Sequence, residues 1–327
     1  MVFEIAKGLT AFLNVEAGII RGDAPEGGRA SGQGQRQMED LRRRIEDLRE
    51  RLSGREQSLR EAREELALKN VELGKWHVEL AEKNSFSLRP GTFDEGVFLT
   101  VNMQNEYRLP DSFEPDDVIV DIGTHIGSFC YAALRRGANR VHGFEAEAGN
   151  YACAARNLAP FGGRARLRNA AVWRSDKPVE KLTFTPSTDE TNNAGGDVVH
   201  DGAGEEVEAV AFDEVIREVT DGGARRVRLL KVDCEGSEFP ILFTSRMLHL
   251  VDDIRGEFHE FGGEYDESPV PESMKIEGYG RFTMTELAEV LEGAGFSVSS
   301  YRHEGTRLGI FFASRESGSD GVKTGGA

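Results

Sequence analysis

The chain has little cysteine, no long apolar run and no surplus of basic charge. Its three cysteines, Cys130, Cys153 and Cys234, show neither metal-ligand nor disulfide-framework spacing. That usage points to a reducing cytoplasm. No apolar stretch approaches the roughly 18 residues of a transmembrane helix, so no membrane span is expected. Residues 1–22 form a moderately apolar, amphipathic segment, but Glu4, Lys7, Asn14 and Glu16 interrupt it. A secretory leader needs a basic start and an unbroken apolar stretch, so none is expected here. Net charge is −17; residues 1–85 hold 15 basic and 16 acidic side chains, and the remainder holds 25 and 41. Nucleic acid is not an expected partner, because a duplex binder carries the opposite sign.

What is present divides the chain. Residues 23–37, rich in glycine and polar side chains, read as a flexible linker. Residues 38–85 carry a seven-residue period: Met38, Ile45, Leu52, Leu59, Leu66, Leu73 and Leu80 in one register, and Leu41, Leu48, Arg55, Ala62, Lys69, Trp76 and Lys83 in the other. This predicts a coiled coil that pairs chains into a homo-oligomer, made imperfect by its charged positions, Gly54 and Gly74. A lone charged helix packing on the globular part is the alternative. Residues 86–316 form the globular domain, and the Gly/Ser-rich tail 317–327 reads as disordered.

Within the domain, strand-like and helix-like segments alternate. Strands are predicted at Val118–Asp121, Arg140–Phe144, Ala165–Asn169, Lys181–Thr185, Glu206–Ala211, Val227–Asp233, Ile254–His259, Phe296–Tyr301 and Leu308–Ala313. Helices are predicted at Ser128–Arg136, Gly149–Leu158, Phe212–Val219 and Thr283–Glu292. The pattern is that of an α/β, Rossmann-like fold with a mostly parallel central sheet. A short polar turn joins the last two strands, which suits an antiparallel hairpin at the sheet edge.

Ligands of open α/β sheets sit beyond the carboxyl ends of the strands. Asp121 ends one such strand, and Gly123 and Gly127 then permit a tight turn around Thr124. The G-x-x-x-G spacing differs from the G-x-G-x-x-G of a dinucleotide site, which disfavours a nicotinamide enzyme. An acid ahead of the loop opposes a phosphate cradle and suits a cationic amino group. Glu145 ends the next strand, where an acid accepts both hydroxyls of a ribose. A ribose without phosphates and a cationic amino-acid end describe S-adenosylmethionine. Otherwise Asp121 caps a helix and Glu145 is merely exposed.

The blocks DIGTHIG, VHGFEAEAGNYACAARNL, LLKVDCEGSEFPIL and IRGEFHEF, in that order, resemble the FkbM-type S-adenosylmethionine-dependent methyltransferases. The resemblance covers roughly residues 95–260. It implies a Rossmann-like methyltransferase fold and O-methylation of a hydroxyl on a sugar, glycan, lipid or natural product. His125 and Ala146 depart from the usual pattern, and the coiled coil lies outside it. Carried over by motif, Asp121, Gly123, Thr124 and Gly127 surround the methionine moiety. Glu145 binds the ribose, Asn169 and Ala170 lie near the adenine, and Asp233 points at the methyl-donor sulfur.

A hydroxyl acceptor must lose its proton. Asp233, Glu257 and His259 are the catalytic candidates, and Glu235 is a further acid. Strand alternation puts Glu257 and His259 on one side, and an ordinary histidine titrates near neutrality. An ion-paired structural histidine is the competing reading. Asp233, Glu257 and His259 could together bind a divalent cation as an alternative, but they lack close metal-ligand spacing, so no metal is expected. Cys234 reads as a packed residue. Thr191, Asn192, Asn193 and His200 fall in a Gly-rich loop that reads as an ordinary turn, with contact to the acceptor as the alternative. The long loop 262–280, with Tyr265 and Tyr279, is expected to shape the acceptor pocket. A catalytically inactive scaffold of the same fold is the alternative to an enzyme.

Overall fold

The computed structural model describes residues 85–187, 197–199 and 204–315, with scattered helical positions between 43 and 83. Segments 1–22, 23–37 and 317–327 lie outside the described residues. So do Thr191, Asn192, Asn193, His200 and the heptad positions Met38, Leu41, Ala62, Leu66, Lys69, Leu73, Trp76 and Leu80. The chain divides into two compact units, Met1–Val71 and Glu72–Ala327. In the first, the described positions are helical; Leu48, Leu52 and Leu59 are exposed and Ile45 is half-buried. Among the described residues no helix is long and apolar enough to cross a membrane.

In the second unit, scattered helical positions between 74 and 83 precede α1 (Asp94–Asn102), after which it alternates: β1 (Val118–Ile122), α2 (Ser128–Arg135), β2 (Arg140–Glu145), α3 (Ala148–Leu158), β3 (Ala165–Asn169). Four short strands and a helix follow: β4 (Ala171–Trp173), β5 (Lys181–Thr185), β6 (Asp197–Val199), β7 (Glu205–Ala211), α4 (Phe212–Val219). The unit closes with β8 (Val227–Val232), α5 (Glu238–Thr244), β9 (Val251–His259), α6 (Met284–Gly293), β10 (Ser297–Arg302) and β11 (Leu308–Ser314). Seven strands form one sheet in the order β10-β11-β9-β8-β1-β2-β3. The pairs among β3, β2, β1, β8 and β9 are parallel, while β11 runs antiparallel to both β9 and β10. This is the expected Rossmann-like sheet with its edge hairpin. A four-stranded sheet, β4-β7-β5-β6, stands beside it.

Alternation along the strands builds a core on each face of the large sheet. Val118, Val120 and Ile122 of β1 face one cluster with Phe212, Phe239 and Phe282. Ile119 faces the other, with Phe129, Cys130 and Phe98. Helix α4 shows why these segments fold as they do: Phe212, Val215, Ile216 and Val219, spaced as one helical stripe, are its buried residues. From β1 the chain winds through β2 and β3 on one side and returns through β8 on the other. Strand order therefore reverses at β1, and a crevice opens beyond its carboxyl end.

Candidate active site

Beyond β1 the backbone makes a turn that only glycine can begin. Gly123 has φ +78°, and a Cβ there would lie 1.8 Å from the carbonyl oxygen of Asp233. Gly123 and Thr124 donate their N–H groups to Phe144 O at 3.0 and 3.1 Å, and the Thr124 hydroxyl donates to Asp121 O at 3.1 Å. His125 takes a positive φ of 53°. Gly127, at φ +91°, ends the turn ahead of α2, and a Cβ there would press on Leu158 of α3 at 3.2 Å. The loop thus lies flat against the ends of β2 and β8.

A cleft runs along these strand ends. Its lining includes Gly123, Thr124, His125, Glu145, Ala170, Asp233, Glu235 and Glu257, so the predicted residues Gly123, Thr124, Glu145, Ala170, Asp233 and Glu257 come together there. Asp121, Gly127, Asn169 and His259 do not line it.

Asp121, fully buried, turns toward α2 and β8: Cys130 Sγ donates to its Oδ2 at 3.2 Å, and Lys231 Nζ lies 3.3 Å from its Oδ1. Burial raises the Asp121 pKa against the opposing pull of Lys231. The Lys231 ammonium also donates to Gly123 O at 2.6 Å and sits 3.5 Å from Asp233 Oδ2. Burial works against its charge, but Asp121 and Asp233 outweigh that and raise its pKa. Asn169 donates its amide to the carbonyls of Glu145 and Ala146 at 2.8 and 3.0 Å, bracing the end of β2. Glu145 accepts the N–H of His125 on Oε2 at 2.7 Å and of Glu147 on Oε1 at 2.9 Å. Its pKa rises through burial, against those two donors.

Asp233, also on the cleft, accepts the Tyr107 hydroxyl on Oδ2 at 2.8 Å. Burial resists the Asp233 charge, but Lys231 and then His259 lower its pKa. Glu257 and His259 do share one side of β9: His259 Nε2 lies 3.7 Å from Glu257 Oε2 and 3.2 Å from Glu235 Oε2. Burial, and next Asp233, push Glu257 up to about 8. His259 departs from its expected titration near neutrality. Despite burial, Glu238 and Glu235 hold its pKa well above the ordinary histidine value. Its Nδ1 lies 3.2 Å from Oε1 of Glu238, which also accepts the Cys234 N–H at 2.7 Å, while Oε2 accepts the Gly236 N–H at 2.8 Å.

Two features escaped the sequence reading. The first is α1 and the turn after it, which supply Val97, Thr100, Val101, Glu106 and Tyr107 to the cleft. The acids Asp94 and Glu95 ahead of Val97, Phe98 and Val101 signal this helix. Arg89 clamps its start, donating to Asp94 three times at 2.8 Å, once from its backbone N–H, and to Asn150 at 2.7 Å. The second is loop 262–280, which departs from its expected place at the pocket. None of its residues lines the cleft. Val270 and Met274 are buried in the core, and Arg174 holds the carbonyls of Ser273 and Lys275 at 3.2 and 2.9 Å. Tyr279 packs on Phe243, while Tyr265 is exposed beside Arg302.

The methyltransferase FkbM domain matches residues 121–298. No curated protein matches the chain. Among solved structures, methyltransferase FkbM from Methylobacillus flagellatus KT is similar at TM-score 0.40 and 14% identity, over 66% of this chain and 47% of that one. Precorrin-6y C5,15-methyltransferase from Geobacter metallireducens GS-15 gives 0.36 and 12%, over 71% and 94%. M. capricolum TrmK, bound to S-adenosyl-homocysteine, gives 0.33 and 9%, over 61% and 62%.

Proposed function

This chain belongs to the FkbM methyltransferase family, and from that premise we propose that it transfers the methyl group of S-adenosylmethionine to a hydroxyl of a sugar, glycan, lipid or other small-molecule acceptor. The observation that carries the reading is that one cleft brings together two chemically different sets of groups. The first set is the glycine turn at Gly123, the Glu145 carboxylate and the small apolar side chains of Ala170, Ala171 and Val172. The second is the acids Asp233, Glu235 and Glu257.

In this reading Gly123, Thr124 and His125 bring backbone against the methionine end. Glu145 accepts the ribose hydroxyls, and Ala170 with its neighbours flanks the adenine. Asp233 faces the sulfonium. Asp121, Gly127, Asn169 and His259 serve by holding these groups in place. The sulfonium methyl is already electrophilic, so alignment supplies most of the acceleration. An acceptor oxygen lone pair forms the new O–CH3 bond while the S–CH3 electrons return to sulfur. Glu257, facing the acceptor space, receives the hydroxyl proton. The heptads bring a second copy of the chain alongside the first.

The test follows transfer of labelled methyl from S-adenosylmethionine to a panel of hydroxylated acceptors. Glu257→Gln should lower turnover on the best acceptor about 100-fold, with affinity for S-adenosylhomocysteine changed less than about threefold. Turnover equal to that of the unaltered chain would remove Glu257 as the base.

A further inference from the structure

Asp233, Glu238 and His259 come from two strand ends and the helix between them. One donor atom from each lies within 4.8 Å of the others. A divalent cation with bonds of about 2.1 Å spaces its ligands by about 3.0 to 4.2 Å, so side-chain adjustments of up to about 1 Å would close the set around an ion. Two of the three are deeply buried, with His259 2% and Glu238 0% exposed. That separates the trio from a solvated surface patch of acids.

Charge count gives an independent reason to expect a cation. The imidazole of His259 has Glu235, Glu238 and Glu257 within 3.7 Å. Asp233 and Asp121 share the single ammonium of Lys231. Asp121, Asp233, Glu235, Glu238 and Glu257 therefore gather around Lys231 and His259, with His303 3.5 Å from Glu257 at the margin. Buried charge of one sign is costly without a partner, and here the carboxylates outnumber the cations beside them. Tyr107 and Lys231 both engage Asp233 through Oδ2, and a carboxylate keeps lone pairs for a metal beyond such contacts.

We propose that Asp233, Glu238 and His259 bind a divalent first-row cation of the Mn2+ type at the acceptor end of the cleft. Two carboxylates and an imidazole are an O,O,N donor set, which suits Mn2+ better than Ca2+. Asp233 lines the cleft, so the open coordination positions face the acceptor. A hydroxyl bound there is polarised and loses its proton more readily, with Glu257 beside it to receive that proton. The ligand role for substrate rests on the methyltransfer reading above; the cation site itself does not.

The test uses the full chain, stripped of metal with a chelator and desalted, and titrated with Mn2+ while free Mn2+ is read by electron paramagnetic resonance. One site per chain is expected, with a dissociation constant of about 100 μM or tighter. His259→Gln and Asp233→Asn should each weaken it at least about tenfold, while Asp116→Asn, an exposed acid elsewhere, should leave it unchanged. Unaltered melting temperatures for the two site variants show that they remain folded. Absence of binding below about 1 mM overturns the site, as does binding that survives both variants. S-adenosylhomocysteine titrated in parallel separates the two readings. Mn2+ binding without it sinks the methyltransfer reading alone, and the reverse sinks the metal site alone.

Discussion

Asp121 shows how far a single residue can be read. Its place at a strand end points to the ligand crevice, and the crevice is there. Which way its side chain turns depends on strand alternation, and Asp121 shares the α2 face with Ile119. It therefore lies one layer beneath the cleft, paired with Lys231, which in turn ties Gly123 to Asp233. Asp121→Asn should destabilise the fold by about 3 kcal/mol, because it leaves a buried ammonium with one partner fewer. Adding Lys231→Met should recover part of that loss. Urea denaturation of the four proteins in this cycle measures the coupling, and strictly additive effects would contradict it. Glu145 and Glu257, by contrast, point where their positions in the sequence suggested. His259 shares the side of Glu257, but the carboxylates that surround it come from a turn and a helix start that no local spacing reveals.

At the scale of elements, the strands and helices with strong periodicity were legible to within a few residues. Missed were α1, the short strands β4 and β6, and α5. Pro240 near the start of α5 and its unbroken apolar run mask the helical period. The loop 262–280 was expected at the pocket because of its length, but length says nothing of where a loop packs. Strand β2 carries a consequence of its own. His142 pairs in register with Arg166 of β3, and Arg140 lies two residues before it. Burial, then Arg166 and Arg140, lower its pKa to about 4, with Asp221 opposing. The folded state thus resists a proton that the unfolded chain accepts below about pH 6.5. Its contribution is fully present above that pH and is lost as pH falls toward 4. Between pH 7.5 and 4.5 the unaltered chain should lose about 2 kcal/mol more stability than His142→Asn, read by denaturant unfolding. Equal losses would contradict the assignment.

For the whole molecule, the sequence suggested a boundary between heptads and globular domain near residue 85, whereas the two compact units meet at Val71 and Glu72, inside the heptad segment. In the first unit Leu52 and Leu59, seven residues apart, are exposed on helical positions. Apolar side chains at that spacing call for a second helix. Leu52→Asp with Leu59→Asp should convert the chain to a monomer in analytical ultracentrifugation, leaving its affinity for S-adenosylhomocysteine unchanged. An unaltered mass would contradict pairing through the heptads. The sheet order could not be read from the sequence, since alternation of strand and helix does not say on which side of β1 each later strand lands. That order puts the glycine turn, Glu145 and Asp233 around one crevice.

The central claim is that this crevice holds a methyl donor. Calorimetric titration of the full chain with S-adenosylhomocysteine, with NADH as the control, tests it most directly. Micromolar binding, about −8 kcal/mol, is predicted for the first and none for NADH. Glu145→Ala should weaken that binding about 100-fold, by removing both ribose hydrogen bonds and the acceptor of the His125 N–H. Binding of NADH, no binding of S-adenosylhomocysteine, or an affinity indifferent to Glu145 would contradict the account.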